Sequence, residues 1–152
     1  MTPNAVDANF DRPSTPNCTV DRLPSPDAWL AAAAHHGELF APLDPGVRIA
    51  LLARSAPTRM LVWEAGPAGI NARLEAFAGY AASAADILLA ADHESLLEVR
   101  SAATGHLFEV LRAGIRSGHI VCYVLKRRCV LEERGLDELL DALGFAFMGA
   151  CR

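Results

Sequence analysis

The chain has 152 residues, 52% of them apolar and 21% charged, with a net charge of −4. That is enough chain to bury one core without staples, and too apolar for a disordered protein. The acidic balance gives no broad pull toward nucleic acid or anionic lipid, and no apolar run reaches the ~20 residues that span a bilayer.

Residues 1 to 24 carry Pro3, Pro13, Pro16 and Pro24 among Asn, Asp, Thr and Ser. This composition cannot offset its ordering entropy and reads as a flexible tail, without the charge and apolar pattern of a signal peptide. The single domain is expected from Ser25 to Arg152. Ser25-Pro26-Asp27 is a helix start, with a serine N-cap, proline at the first helical position and an acid in the first turn. The helix runs to His36, and Gly37 ends it.

Asp44-Pro45-Gly46 marks a turn. Val47, Ile49 and Leu51 then alternate as in a strand, and Ser55 to Thr58 is a second turn. Arg59 to Glu64 is a second strand, and the two pair most simply as a hairpin. Gly66-Pro67-Ala68-Gly69 breaks the pattern and leads into a helix. Ile70, Leu74, Phe77, Ala81, Ala84 and Leu88 recur at spacings of three and four, one continuous stripe that ends near Asp92. Small residues beside it, Ala76 to Ala85, would let another backbone approach closely.

From Ser95 onward three segments read as strands: Leu96 to Arg100, His106 to Arg112 and His119 to Leu125. Thr104-Gly105 and the Gly114 to Gly118 stretch break them apart. In the middle segment Leu107, Val110 and Leu111 also fit a helical period, and the flanking glycines favour the strand. A last helix starts near Gly135 and buries Leu136, Leu139, Leu140, Leu143 and Phe147. The expected fold is α+β, in the order α-β-β-α-β-β-β-α, with a five-stranded, mainly antiparallel sheet.

This order resembles the Roadblock/LC7 domain, a small profilin-like fold, over Asp27 to about Phe147. Pro45 to Leu52 with Met60 to Trp63 looks like that family's first hairpin. Ala72 to Leu89 looks like its long central helix. Ile120 to Leu125, Cys129 to Leu131 and Leu136 to Leu143 look like its last strand, linking loop and closing helix. The resemblance implies a non-enzymatic homodimer that scaffolds or regulates a small Ras-like GTPase or a signalling complex. Its seam would be the stripe Ile70, Leu74, Phe77, Ala81, Ala84 and Leu88. Arg48, Arg54, Arg59, Lys126, Arg127 and Arg128 are the candidate partner contacts. The alternative is an adaptor, of the secretion-chaperone kind, that binds an extended client segment along exposed apolar strands.

Catalytic chemistry finds little footing. A zinc site needs about four convergent ligands. His35 and His36 are adjacent on a helix and diverge, and His93, His106 and His119 sit near turns. No cofactor or metal is expected. The four cysteines, Cys18, Cys122, Cys129 and Cys151, form no C-x-x-C pair and point to a reducing cytoplasm. Cys122 lies in an apolar strand and reads as inert. Cys129 follows Lys126-Arg127-Arg128, cations that would lower a thiol's pKa, so an enzyme using Cys129 or a histidine is a third reading. Gly66 to Gly69 lacks the Lys-Ser/Thr of a phosphate loop.

Overall fold

The computed structural model describes residues 23–55 and 57–145. Most of the expected tail, and Phe147 of the last helix, lie outside the described residues. Leu23 and Pro24, the last two residues of the expected tail, are buried.

Helix α1, Pro26–His35, starts as its sequence dictates: the Ser25 hydroxyl accepts from the Ala28 N–H at 3.1 Å. Gly37 does not end the helical region. It opens a second short helix, α2, Gly37–Phe40, because the chain turns at His36 and continues helically. Strands β1, Arg48–Ala53, and β2, Arg59–Gly66, form the expected antiparallel hairpin, with Leu51 opposite Leu61.

The expected central helix is absent. Strand β3, Gly69–Ala76, turns back from β2 through Pro67-Ala68 and pairs with it along its whole length. A loop over residues 77–86 follows, then strand β4, Ile87–Ala91. Ile70, Ala72 and Leu74 alternate with Asn71, Arg73 and Glu75, so this stretch carries a period of two as well as one of 3.6. The chosen period is the one that lets β2 satisfy β3's backbone. Ile87–Ala91 is apolar at every position because β4 lies in the middle of the sheet, fully buried on both faces.

Two of the three later strands are also corrected. Residues 96–100 belong to helix α3, His93–Ser101, N-capped by Asp92, whose carboxylate accepts from the Ser95 N–H at 2.9 Å. Residues 106–112 fall in a short 3₁₀ turn, Thr104–His106, and helix α4, Leu107–Ser117. The helical period wins there because Leu107, Phe108, Leu111 and Gly114 share one buried stripe. Gly114 faces Ile120 so closely that a Cβ would stand 2.5 Å from its Cδ1. Strand β5, Ile120–Val124, falls where expected. The linking loop holds a short helix α5, Arg128–Glu133, and the closing helix α6 is Asp137–Ala142.

The sheet order is β3-β2-β1-β4-β5. Pairings are antiparallel except between β1 and β4, which run parallel, so the sheet is mainly antiparallel and the class is α+β. The large core lies on the helix-covered face. There Trp29 stacks on Trp63 at 3.8 Å, Phe40 meets Trp63 edge-on, and the Trp63 indole donates to the Trp29 carbonyl at 2.7 Å. On the other face the 77–86 loop supplies the cover. Phe77, Tyr80 and Ala85 close over Ala50, Leu52, Val62, Leu88 and Ala90. No helix among the described residues is long and apolar enough to cross a membrane.

Candidate binding edge

Strand β3 is one end of the sheet, and no strand among the described residues pairs with its outer side. The two-residue turn fixes which of its groups face outward. Gly66 and Gly69 flank that turn as a hydrogen-bonded pair, so narrow pairs recur at Glu64–Asn71, Val62–Arg73 and Met60–Glu75. The hydrogen bonds of Ala65 confirm the phase. Its N–H donates to Val47 at 2.9 Å and its carbonyl accepts from Gly46 at 2.7 Å, both toward β1. The backbone groups of Ile70, Ala72 and Leu74 therefore point away from the sheet. Among the described residues nothing pairs with them. Such a row of donors and acceptors is a template for one more strand.

The side chains of the same three residues turn toward the helix-covered face, where Ala72 lies opposite Trp63 and all three pack on the core. Helix α1 covers them, running antiparallel to β3, and leaves a cleft at each end. The first, about 490 Å³, lies beside Ile70 and is walled by Leu30, Ala33, Phe40 and Pro45. The second, about 530 Å³, lies beside Leu74 and is walled by Leu23, Pro26, Ala28 and Arg100. Leu30 is 38% exposed, a large apolar side chain at the mouth of the first cleft. Apolar concavities beside an unpaired edge suit a ligand that brings both backbone and side chains.

The opposite face of β3 is polar and largely paired within itself, with Arg48 Nε left buried and without a hydrogen-bond partner among the described residues. The Arg48 guanidinium pairs with Glu64 at 3.2 Å and with Glu75, and Arg73 bridges Glu64 and Glu75, the latter at 2.7 Å. The Arg48 hydrogen bond holds the Glu75 carboxyl below its ordinary value, against a smaller effect of burial.

The expected partner contacts do not form one patch. Arg48 is committed to this network. Lys126 lies 3.7 Å from the buried carboxylate of Asp86. Arg127 precedes α5 and Arg128 begins it. Arg54, past the far end of β1, approaches the Gly118 carbonyl at 3.4 Å and Asp92 at 3.9 Å. Arg59 is exposed at the start of β2 and makes no ion pair among the described residues. The expected seam is dispersed as well. Ile70 and Leu74 are on β3, Phe77, Ala81 and Ala84 are in the crossing loop, and Leu88 is fully buried in the interior strand β4. Without the helix these six share no face.

Cys129 is in a disulfide, which removes the thiolate considered for it. Burial pushes the Cys122 thiol up to about 12, so it is inert at physiological pH. No group of three or more His, Cys, Asp and Glu among the described residues is placed to hold a metal.

One titrating pair stands apart. His119 Nδ1 lies 2.6 Å from Asp92 Oδ2, tying the start of β5 to the cap of α3, with Arg54, Glu94 and Glu98 around it. The hydrogen bond to Asp92 raises the His119 pKa. Burial would raise the Asp92 carboxyl, but bonds from Ser95 and His119 outweigh it and hold it low. A raised histidine stabilises fully below its unfolded value and ceases to do so as pH rises through its folded value. A depressed carboxyl stabilises above its unfolded value and ceases as pH falls through its folded one. The pair is therefore complete between roughly pH 4.5 and 6 and weakens above that window. A nuclear magnetic resonance titration should place His119 above the free histidine value, and His119→Gln should flatten the fall in melting temperature above pH 6. A His119 that titrates at or below the free value contradicts the pairing.

The sequence hides this edge because Ile70 and Leu74 also fit a helical period. The signal was present in the alternation from Ile70 to Glu75. No protein-family model, curated protein or solved structure matches the chain.

Proposed function

We propose that this protein is a non-enzymatic binding module that takes an extended segment of a partner protein onto β3 by strand addition. The observation that carries it is the outward row of backbone groups at Ile70, Ala72 and Leu74, unpaired among the described residues, with a cleft at each end. Main-chain hydrogen bonds supply affinity in this mode, and pockets for alternate side chains supply selectivity. The reading belongs with the adaptor that binds an extended client. A dimeric regulator of a Ras-like GTPase, built on a paired central helix, has no helix here to pair.

The other free edge, β5, is less suited. It is followed, after Leu125, by Lys126 and Arg127, and charge near a strand end discourages pairing. The test is selection of displayed random peptides on the full chain, followed by Ala72→Pro. Proline at position 72 removes an outward N–H while leaving the β2 ladder intact, because Ala72 is not hydrogen-bonded to β2. Selected peptides should bind this variant at least about tenfold more weakly, the worth of ~1.4 kcal/mol in lost hydrogen bonds. Leu30→Glu, an exposed change at the cleft mouth, should weaken them too if the proline variant does not fold. Peptides that bind both variants as they bind the parent chain contradict the reading.

A further inference from the structure

Strand addition would leave open which segments the edge accepts, and the two clefts answer that. Ile70 and Leu74 are four residues apart on one strand, so the two β3 residues that line the clefts stand about 13 Å apart at 3.3 Å per residue. In an added strand, side chains at i and i+4 lie on one face with that same separation. A residue at i+3 points to the opposite face. The clefts therefore accept two apolar side chains at i and i+4, with a small residue between them facing Ala72 and the α1 surface.

Charge distinguishes the two ends. Arg100 lines the cleft beside Leu74. Arg59 stands opposite Ala76, on the same side of β2 as Leu61 and Trp63, and so projects from the same face at the same end. Neither makes an ion pair among the described residues. Named walls of the cleft beside Ile70 carry no charge at all: Leu30, Ala33, Phe40, Pro45, Pro67 and Ile70. An occupant would thus meet two guanidinium groups, unpaired among the described residues, at one end and no charged side chain at the other.

Resting on the strand-addition reading, we propose that the β3 edge recognises an acidic extended segment of a partner protein with large apolar residues at i and i+4. Its carboxylates sit beside Arg59 and Arg100, and its apolar pair fills the two clefts.

Fluorescein-labelled synthetic peptides test this against the full chain. One has leucines at i and i+4, alanine at i+2, threonine and valine at i+1 and i+3, and two aspartates at one terminus. A second places the aspartates at the other terminus, which covers both strand directions. Controls move the second leucine to i+3 or replace the aspartates with lysines. One of the first two peptides should bind. The i+3 control should bind at least about tenfold more weakly, since one leucine then leaves its cleft. The lysine control, and the variant Arg59→Ala with Arg100→Ala, should lose about fivefold, and the parent interaction should weaken as salt is raised.

The outcomes separate the two levels. If peptides bind, Ala72→Pro abolishes binding, and neither spacing nor charge matters, strand addition stands and this specificity is overturned. If no peptide binds, or binding ignores both Ala72→Pro and Leu30→Glu, both fail together. If light scattering finds a dimer of the chain that Ala72→Pro dissociates, a second copy occupies the edge, and the acidic partner is overturned.

Discussion

Asp86→Ala should cost about 3 kcal/mol of folding stability, read as a fall in the urea midpoint at neutral pH with an unchanged slope. Asp86 is 1% exposed, at the entry to β4. Its two oxygens have separate duties. One accepts from the Arg48 N–H at 2.9 Å, at the start of β1, and the other from Arg134 at 2.9 Å, between α5 and α6. Its own N–H donates to the Arg48 carbonyl, and its carbonyl accepts from the Leu125 N–H at the end of β5. One carboxylate thus joins three elements that are distant in sequence. Alanine would leave a buried N–H without an acceptor and a guanidinium without its counter-ion, and the half-exposed cations recover only part of that through water. Asp86→Asn keeps an acceptor for one partner and should lie between. A loss under 0.5 kcal/mol for the alanine variant would show that the carboxylate is replaceable and the junction is held by packing.

Gly135→Ala should be comparably severe, about 3 kcal/mol, and for a different reason. Gly135 follows α5 with φ at +86°, a left-handed conformation that costs a side-chain-bearing residue about 1–2 kcal/mol. A Cβ there would also stand 2.0 Å from the Pro42 carbonyl oxygen, and that obstacle is backbone, which cannot rotate aside. The strands of chain concerned are tied together, because the Asp44 N–H donates to the Arg134 carbonyl at 3.0 Å. Relief requires moving one of them, at about 1–3 kcal/mol more. Gly118→Ala is the control: its φ is +88° but nothing lies within 4 Å of the added carbon, so it should show the conformational cost alone. Equal losses at the two sites would mean that the close approach at Pro42 does not constrain the chain.

These junctions show what the sequence could and could not disclose. Local signals were readable wherever they were decisive alone. Ser25-Pro26-Asp27 specified α1, alternation specified β1 and β2, and the spacing of Leu136, Leu139, Leu140 and Leu143 specified the last helix. The α+β class followed; the sheet has five strands as expected, but β3 and β4 stand in place of two expected strands that are helices. Residues 70–88 were not decidable locally, because Ile70 and Leu74 satisfy both periods. Pairing with β2 across the two-residue turn settles 69–76 as strand, while 77–86 form a loop and 87–91 a separate strand. A strand buried on both faces, such as Ile87–Ala91, has no alternation to read. In α3 and α4 the glycines beside the segments suggested hairpin turns, whereas Gly118 is a helix C-cap with φ at +88° and Gly114 a point of close packing. The binding edge was illegible for the same reason as β3 itself: an edge exists only once the strand order is fixed.

The central claim concerns the outward amides of β3, and hydrogen exchange observed by nuclear magnetic resonance addresses them residue by residue. In the free chain the amides of Ile70, Ala72 and Leu74 should exchange quickly, while those of Asn71, Arg73 and Glu75, bonded to β2, exchange slowly. Saturation with the acidic i, i+4 peptide should slow the first three and leave the second three little changed. If Ile70, Ala72 and Leu74 remain fast in the saturated complex, the peptide is not on this edge and strand addition at β3 is wrong.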